Sequence, residues 1–144
     1  HLFVLNTHLG TLSGEDRHDP GHPRTVEGNA MRLHQAEGLA RVTAELRAAE
    51  AAAAVPQRPI LLTGDFNAIP GSEPMDTLIA SGYRLLSVEN TPDEAYTHNV
   101  HKLLIDHVLV HDPAGVLPAG HAFVGTDLPF DDLTDHRPVI AIFD

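Results

Sequence analysis

The chain contains no cysteine, only one lysine, Lys102, and no long apolar run. Without cysteine there is no disulfide framework and no thiolate chemistry, and the compartment is left open. One lysine and eight arginines face 20 acidic residues, for a net charge of −11 with histidine neutral. That balance argues against the chain itself wrapping a polyanion, because nucleic-acid affinity rests on Lys and Arg neutralising phosphates. An acidic chain can still act on phosphates where a divalent metal supplies the positive charge locally. No segment approaches the apolar length of a membrane span. An initiating methionine is also missing: the chain opens His1-Leu2-Phe3-Val4-Leu5-Asn6, inside or at the edge of a strand. We therefore expect a piece of a longer protein.

What is present suits one domain. The 144 residues, 42% hydrophobic, are enough to bury a real core. Residues 2–8 read as a strand, and 9–29 as a polar loop rich in Gly, Pro, Asp and His, long enough to suggest a function. Asn29 is placed to cap a helix over 30–54, in which Leu39, Val42, Leu46, Ala49 and Ala53 recur at helical spacing. Residues 59–64 form a second strand, and a short helix over about 74–81 turns Met75, Leu78 and Ile79 inward before Gly82 stops it. Strands are predicted at 83–88, at 103–110 with Asp106 and His107 in its middle, at 121–125 and at 138–143, with loop over 90–102. The order implies an α/β or α+β fold, one mixed sheet covered by helices on one face.

Thr63-Gly64-Asp65-Phe66-Asn67-Ala68 carries the most information. It follows the apolar run Pro59-Ile60-Leu61-Leu62 and offers a carboxylate and a carboxamide two residues apart. Asp and Asn disfavour strands, and in an extended segment both side chains would point to one side. The pair suits a strand end that presents polar groups to a phosphate or a metal-bound water; the plain alternative is an Asx-type turn. Three further clusters share this placement at apolar strands: Asn6-Thr7-His8, Ile105-Asp106-His107 and Thr134-Asp135-His136-Arg137-Pro138. A buried unpaired charge costs several kcal/mol, so such clusters are expected to converge and satisfy one another. Alternation along the strand sends His107 away from Asp106.

In this order, Asn6-Thr7-His8-Leu9, Gly64-Asp65-Phe66-Asn67, Ile105-Asp106-His107-Val108-Leu109-Val110 and Asp135-His136-Arg137-Pro138-Val139 resemble the endonuclease/exonuclease/phosphatase family, the DNase I-like metal-dependent phosphodiesterases and phosphatases. Tyr96-Thr97 resembles the short Thr-containing stretch before the third cluster. The resemblance implies a partial DNase I-like sandwich: this chain as the C-terminal portion, residues 1–144, without the N-terminal half that carries an Asn and the Glu that is the principal metal ligand. Glu15 and Glu27 lie in the wrong stretch to replace it.

By that resemblance His136 is the general base or a phosphate contact, and Asp106 orients it. Asp135 reaches the metal, which is Mg²⁺ with Mn²⁺ as the alternative. Asp65 positions or deprotonates the attacking water or assists the leaving group. Asn67 donates to the scissile phosphate or holds the nucleophile. His8 contacts the phosphate opposite His136 and can protonate the leaving oxygen. Asn6 and Thr97 support the site. The implied substrate is a phosphate ester: a nucleic acid, a phosphoinositide or a phospholipid head group. The other implied partner is the N-terminal half of the same domain. The rival reading is a non-catalytic half-domain that binds metal poorly and exposes an apolar sheet surface. Taken alone, Asp135-His136 also reads as a turn before a strand. Among eleven histidines, Thr97-His98-Asn99-Val100-His101 comes nearest to a metal-ligand spacing, without being a tight pair. His18, His22, His98, His101, His111 and His121 otherwise read as surface residues, and Asp127, Asp131 and Asp132 as a solvated acidic loop.

Overall fold

A computed structural model describes residues 1–86, 88–90, 94–126 and 134–144. Asp127, Asp131 and Asp132 lie outside the described residues. The elements run β1 (Phe3–His8), α1 (Pro23–Ala52), β2 (Ile60–Asp65), α2 (Glu73–Ala80), β3 (Arg84–Leu85), β4 (Asp106–His111), β5 (Gly120–Val124) and β6 (Val139–Phe143). The first four strands make one mixed sheet in the order β1-β2-β4-β3, with β1 parallel to β2 and β4 antiparallel to it. A long helix between β1 and β2 supplies the crossover that a parallel pair needs.

Alternation along the strands sorts two cores. Ile60, Leu62 and Leu109 join Ala36 of α1 and Met75 and Leu78 of α2 in the helix-side core, which Phe3 and Leu5 also pack against. On the opposite face Val108 and Val110 of β4 meet Leu86 and Ala122, with Leu61, Val139, Ala141 and Phe143 against them. Helices therefore cover one face of the mixed sheet, as expected. Over part of the other lies an antiparallel pair, β5 and β6, that forms a sheet of its own. Val4 of β1 faces away from the helices and is 60% exposed.

Three boundaries differ from the sequence expectation. Helix α1 begins at Pro23, not residue 30, so Asn29 lies inside it and accepts from Arg32 Nη2 at 2.7 Å instead of capping. Proline suits a first helical turn, where its missing N–H is no loss. The stripe that α1 buries is also largely polar, namely Thr25, Arg32, Ala36, Thr43 and Glu50, while Val42 is exposed. These polar residues are held by partners: Thr25 donates to Asp16 O at 2.7 Å, Thr43 meets the Tyr83 hydroxyl at 2.6 Å, and Glu50 pairs with Arg47 at 2.7 Å and Arg58 at 2.9 Å. An apolar period search cannot see such a stripe. Ile79 of α2 is likewise exposed rather than inward. Strand β4 starts at Asp106, not Leu103, which puts Asp106 at the strand's mouth, and β3 shrinks to Arg84–Leu85.

The loop before α1 is anchored by a buried ion pair. Glu15 Oε2 lies 3.0 Å from Arg32 Nη1, with the side chains 2% and 3% exposed. Gly28 makes room, since a Cβ there would lie 2.2 Å from Glu15 Oε1. Glu15 is thus a structural residue. Removing one member of a buried pair strands the other charge, so Arg32→Ala should lower unfolding stability by about 3–5 kcal/mol in urea titrations. A loss below about 1 kcal/mol, the range of exposed pairs, would show that the pair does not anchor the loop.

Candidate active site

Register builds the site before any side chain does. Parallel pairing sets His8 beside Asp65, and antiparallel pairing sets Asp65 opposite Asp106. Gly64 permits the first of these pairings: its φ is +133°, and a Cβ would lie 1.9 Å from Thr7 O. No other residue allows β1 that close with the backbone in this conformation. Phe66 is fully buried in the helix-side core and pins the turn after β2, its N–H donating to Ile105 O at 2.8 Å.

The Asx-type turn is real and is part of the device. The Asn67 N–H donates to Asp65 Oδ1 at 2.7 Å, which leaves Oδ2 free to face His8 Nε2 at 3.5 Å and His136 Nε2 at 3.8 Å. Burial pushes the Asp65 carboxyl above its ordinary pKa; the Asn67 N–H opposes this and the Asp106 charge adds to it. Asn67 itself is buried. Its Nδ2 donates to Leu9 O at 2.8 Å and its Oδ1 accepts from Arg17 Nη2.

His136 Nδ1 lies 2.8 Å from Asp106 Oδ2. A carboxylate can only accept here, so Nδ1 carries the proton and Nε2 is left as the basic nitrogen, on the Asp65 side. Thr97, fully buried, fixes the mouth of β4: its Oγ1 accepts from Ile105 N at 3.1 Å and Asp106 N at 3.0 Å. Its carbonyl takes the Arg137 N–H at 2.7 Å, tying the His136 segment to the same residue. A cleft of about 580 Å³ opens over Thr63, Gly64, Asp106, Val108, His136 and Val139. His107 points to the other face, where its Nε2 meets Ala68 O at 2.9 Å and burial pushes its pKa down.

The structure thus brings His8, Asp65, Asp106 and His136 together, with Asn67 and Thr97 beneath them. Asp135 sits at the rim, its carboxylate exposed and 3.8 Å from His98 Nε2. Asn6 lies exposed on β1, its Oδ1 3.1 Å from where a Cβ on Gly64 would stand. Two contacts went unseen in the sequence, Arg17 on Asn67 and the His98 ring against His136. Both come from loops without periodicity, where only the unusual density of histidine hinted at a role.

The donors of the site suit a metal ion. Ligating atoms of Asp65, Asp106 and His136 lie within 4.8 Å of one another, as do those of His98, Asp135 and His136. Burial first, and the Asp106 charge after it, push the Asp65 pKa up, and a cation would favour the ionised form of both carboxylates. Hard oxygen donors in small number fit magnesium, which keeps several waters and takes one or two carboxylates beside substrate phosphate.

The model of the Endonuclease/Exonuclease/phosphatase family matches residues 4–136. Among solved structures, beta toxin from Staphylococcus aureus is similar at 16% identity with a TM-score of 0.61, over 96% of this chain and 51% of that one. Sphingomyelinase C from Streptomyces griseocarneus is similar at 19% and 0.60, over 96% of this chain and 51% of its own. Truncated TDP2 from Caenorhabditis elegans is similar at 15% and 0.59, over 97% and 53% respectively. A mutant beta toxin from S. aureus at 15% identity is described with bound magnesium ions. At these identities the likeness shows the fold, and the chain spans about half the length of each of these structures. No curated protein matches the chain.

The raised Asp65 has a consequence for stability. A group whose folded pKa lies above its unfolded value favours folding below the unfolded pKa and loses that contribution as pH rises through the folded pKa. At neutral pH the ionised Asp65 therefore weighs against the fold. Without divalent metal, Asp65→Asn should raise the melting temperature by about 2–5 °C at neutral pH, with the gain shrinking toward about pH 4. A lower melting temperature at neutral pH would contradict the assignment.

Proposed function

Because the chain belongs to the endonuclease/exonuclease/phosphatase family, we propose that it supplies the C-terminal half of a metal-dependent phosphoesterase site. The observation that carries this reading is the Asp106–His136 contact of 2.8 Å with Asp65 on its far side. It gives a histidine with one nitrogen held and the other basic, facing a second acceptor, the arrangement that activates water.

In the proposed reaction a water between His136 Nε2 and Asp65 Oδ2 gives one proton to Nε2 while Asp65 accepts a hydrogen bond from the other. The water oxygen attacks phosphorus in line, the bond from phosphorus to the leaving oxygen breaks, and protonated His8 gives its proton to that oxygen. Asp106 steadies the imidazolium that forms. Asn67, held by Leu9 and Arg17, fixes the turn that aims Asp65. Asp135, with its exposed carboxylate, would hold a divalent cation, Mg²⁺ or Mn²⁺. When bound, that ion supplies positive charge to the phosphate and leaving oxygens. Asn6 and Thr97 position the strand ends.

A phosphodiester or phosphomonoester is the substrate class. With a net charge of −11, the chain's own surface disfavours a long polyanion, leaving a phospholipid or phosphoinositide head group ahead of a nucleic acid. A second reading has its own support: the chain spans about half of each solved structure it resembles. By itself it would then be a non-catalytic half-domain lacking the principal metal-ligand Glu.

Hydrolysis of bis(p-nitrophenyl) phosphate with Mg²⁺ separates these readings. The isolated chain should turn over barely above background, while a longer parent containing it is active. In that parent His136→Ala should lower kcat by about 10²–10⁴-fold, the usual contribution of a general base. Robust turnover by the 144-residue chain would refute the half-site. A parent inert toward both diesters and monoesters, or indifferent to His136→Ala, would sink the phosphoesterase reading.

A further inference from the structure

A run of imidazoles leads from the surface to the site. His98 packs edge-on against His136 with ring centroids 5.0 Å apart. His101 stacks on His98 at 4.9 Å and 14°, and His18 of the N-terminal loop meets His101 edge-on at 5.8 Å. The His98 backbone is also paired, bridging to Leu103 on one side and His136 on the other. Its ring is held as firmly as the proposed base beside it.

His98, Asp135 and His136 together suggest a transition-metal site, since two imidazoles and a carboxylate suit such ions. The wiring of His98 argues otherwise. The His101 backbone N–H donates to His98 Nδ1 at 3.1 Å. A peptide N–H keeps its proton, so Nδ1 is the lone-pair nitrogen and the ring carries its proton on Nε2. A metal-bound imidazole is wired the opposite way, donating its second N–H to a carbonyl or carboxylate. His98 therefore presents a donor where a ligand would need a lone pair. Among the described residues the nearest carboxylate oxygen, Asp135 Oδ2, stands 3.8 Å from Nε2, beyond hydrogen-bond length.

We infer that His98 is a further substrate-binding residue, its Nε2–H donating to a phosphoryl oxygen held beside His136. This rests on the phosphoesterase reading for the identity of the ligand. Asp65, Asp106 and Asp135 all bring acceptors or negative charge, and a phosphate oxygen needs donors. His98 supplies one from a ring clamped between two neighbours, so little freedom is lost on binding.

Imidazole nitrogen NMR of the isotope-labelled 144-residue chain at neutral pH tests this, with inorganic phosphate as the probe, with and without Mg²⁺. His98 should be the Nε2–H tautomer in the free chain, and phosphate should shift that N–H. His98→Phe keeps the stack and loses the donor, and should weaken phosphate binding by at least about tenfold. His98→Gln restores an N–H near the same place and should bind within roughly threefold of the natural chain. An Nδ1–H tautomer, zinc coordination at Nε2, or no phosphate effect at His98 in either condition would overturn the inference. A chain that binds phosphate through His98 but whose parent hydrolyses no ester keeps this inference and loses the activity. A parent that hydrolyses esters equally well after His98→Phe does the reverse.

Discussion

Asp65 and Asp106 face each other across β2 and β4, and the rest of the structure is arranged around that opposition. Like charges directly opposite on neighbouring strands destabilise a sheet; burial raises the Asp65 pKa, and the Asp106 charge adds to it. Each carboxylate is held by donors from different parts of the chain. The Asn67 N–H takes one Asp65 oxygen, and the rings of His8 and His136 approach the other. His136 also takes Asp106, whose own N–H is fixed by Thr97. A one-residue slip of β4 would carry Asp106 to the helix face and leave His136 unheld. Sheet register, the turn after β2, the 94–102 segment and the chain after residue 134 are thus bound to one geometry.

Two cores make that geometry stiff. Phe66 is buried between Asp65 and Asn67 in the helix-side core, so the turn cannot move without opening it. Val108 and Val110, on the other face of β4, pack against Ala122 and the β6 side chains that follow the His136 segment. The site sits at the seam, where the strand ends leave both cores. The Glu15–Arg32 pair does for the loop what the cores do for the strands, holding the backbone from which Arg17 reaches Asn67.

Most of this was legible where residue type and period agree. Gly64-Asp65-Phe66-Asn67 after an apolar run, and Asp106 and Asp135-His136 at apolar strands, mark a convergence because isolated charges do not belong there. The strand alternation also sent His107 to the far side, where it meets Ala68. The start of α1 was missed for a physical reason. Its first turns bury Thr25, Gly28 and Arg32, which carry no hydrophobic period and are recognisable only with Asp16 and Glu15 beside them. Arg17 and His98 were missed because their meaning lies in partners 50 and 38 residues away, Asn67 and His136. No local pattern encodes such pairings.

The division of labour in the site follows from the fold. The acceptors, Asp65 and Asp106, belong to strands and are set by register, so their spacing is fixed by backbone pairing. The donors, Arg17, His18, His98 and His101, belong to the segments 9–22 and 94–102; the three histidines meet through ring contacts and Arg17 reaches Asn67. A phosphate can rest on an acidic floor only if something above it supplies positive charge or N–H groups. In this chain part of that supply comes from the loops, and a divalent ion at Asp135 would add the rest. The strands thus carry the acceptors and the two loops carry the donors. Because Thr97 and Arg17 lie in these same segments, the loops that bring the donors also hold the acceptors in place.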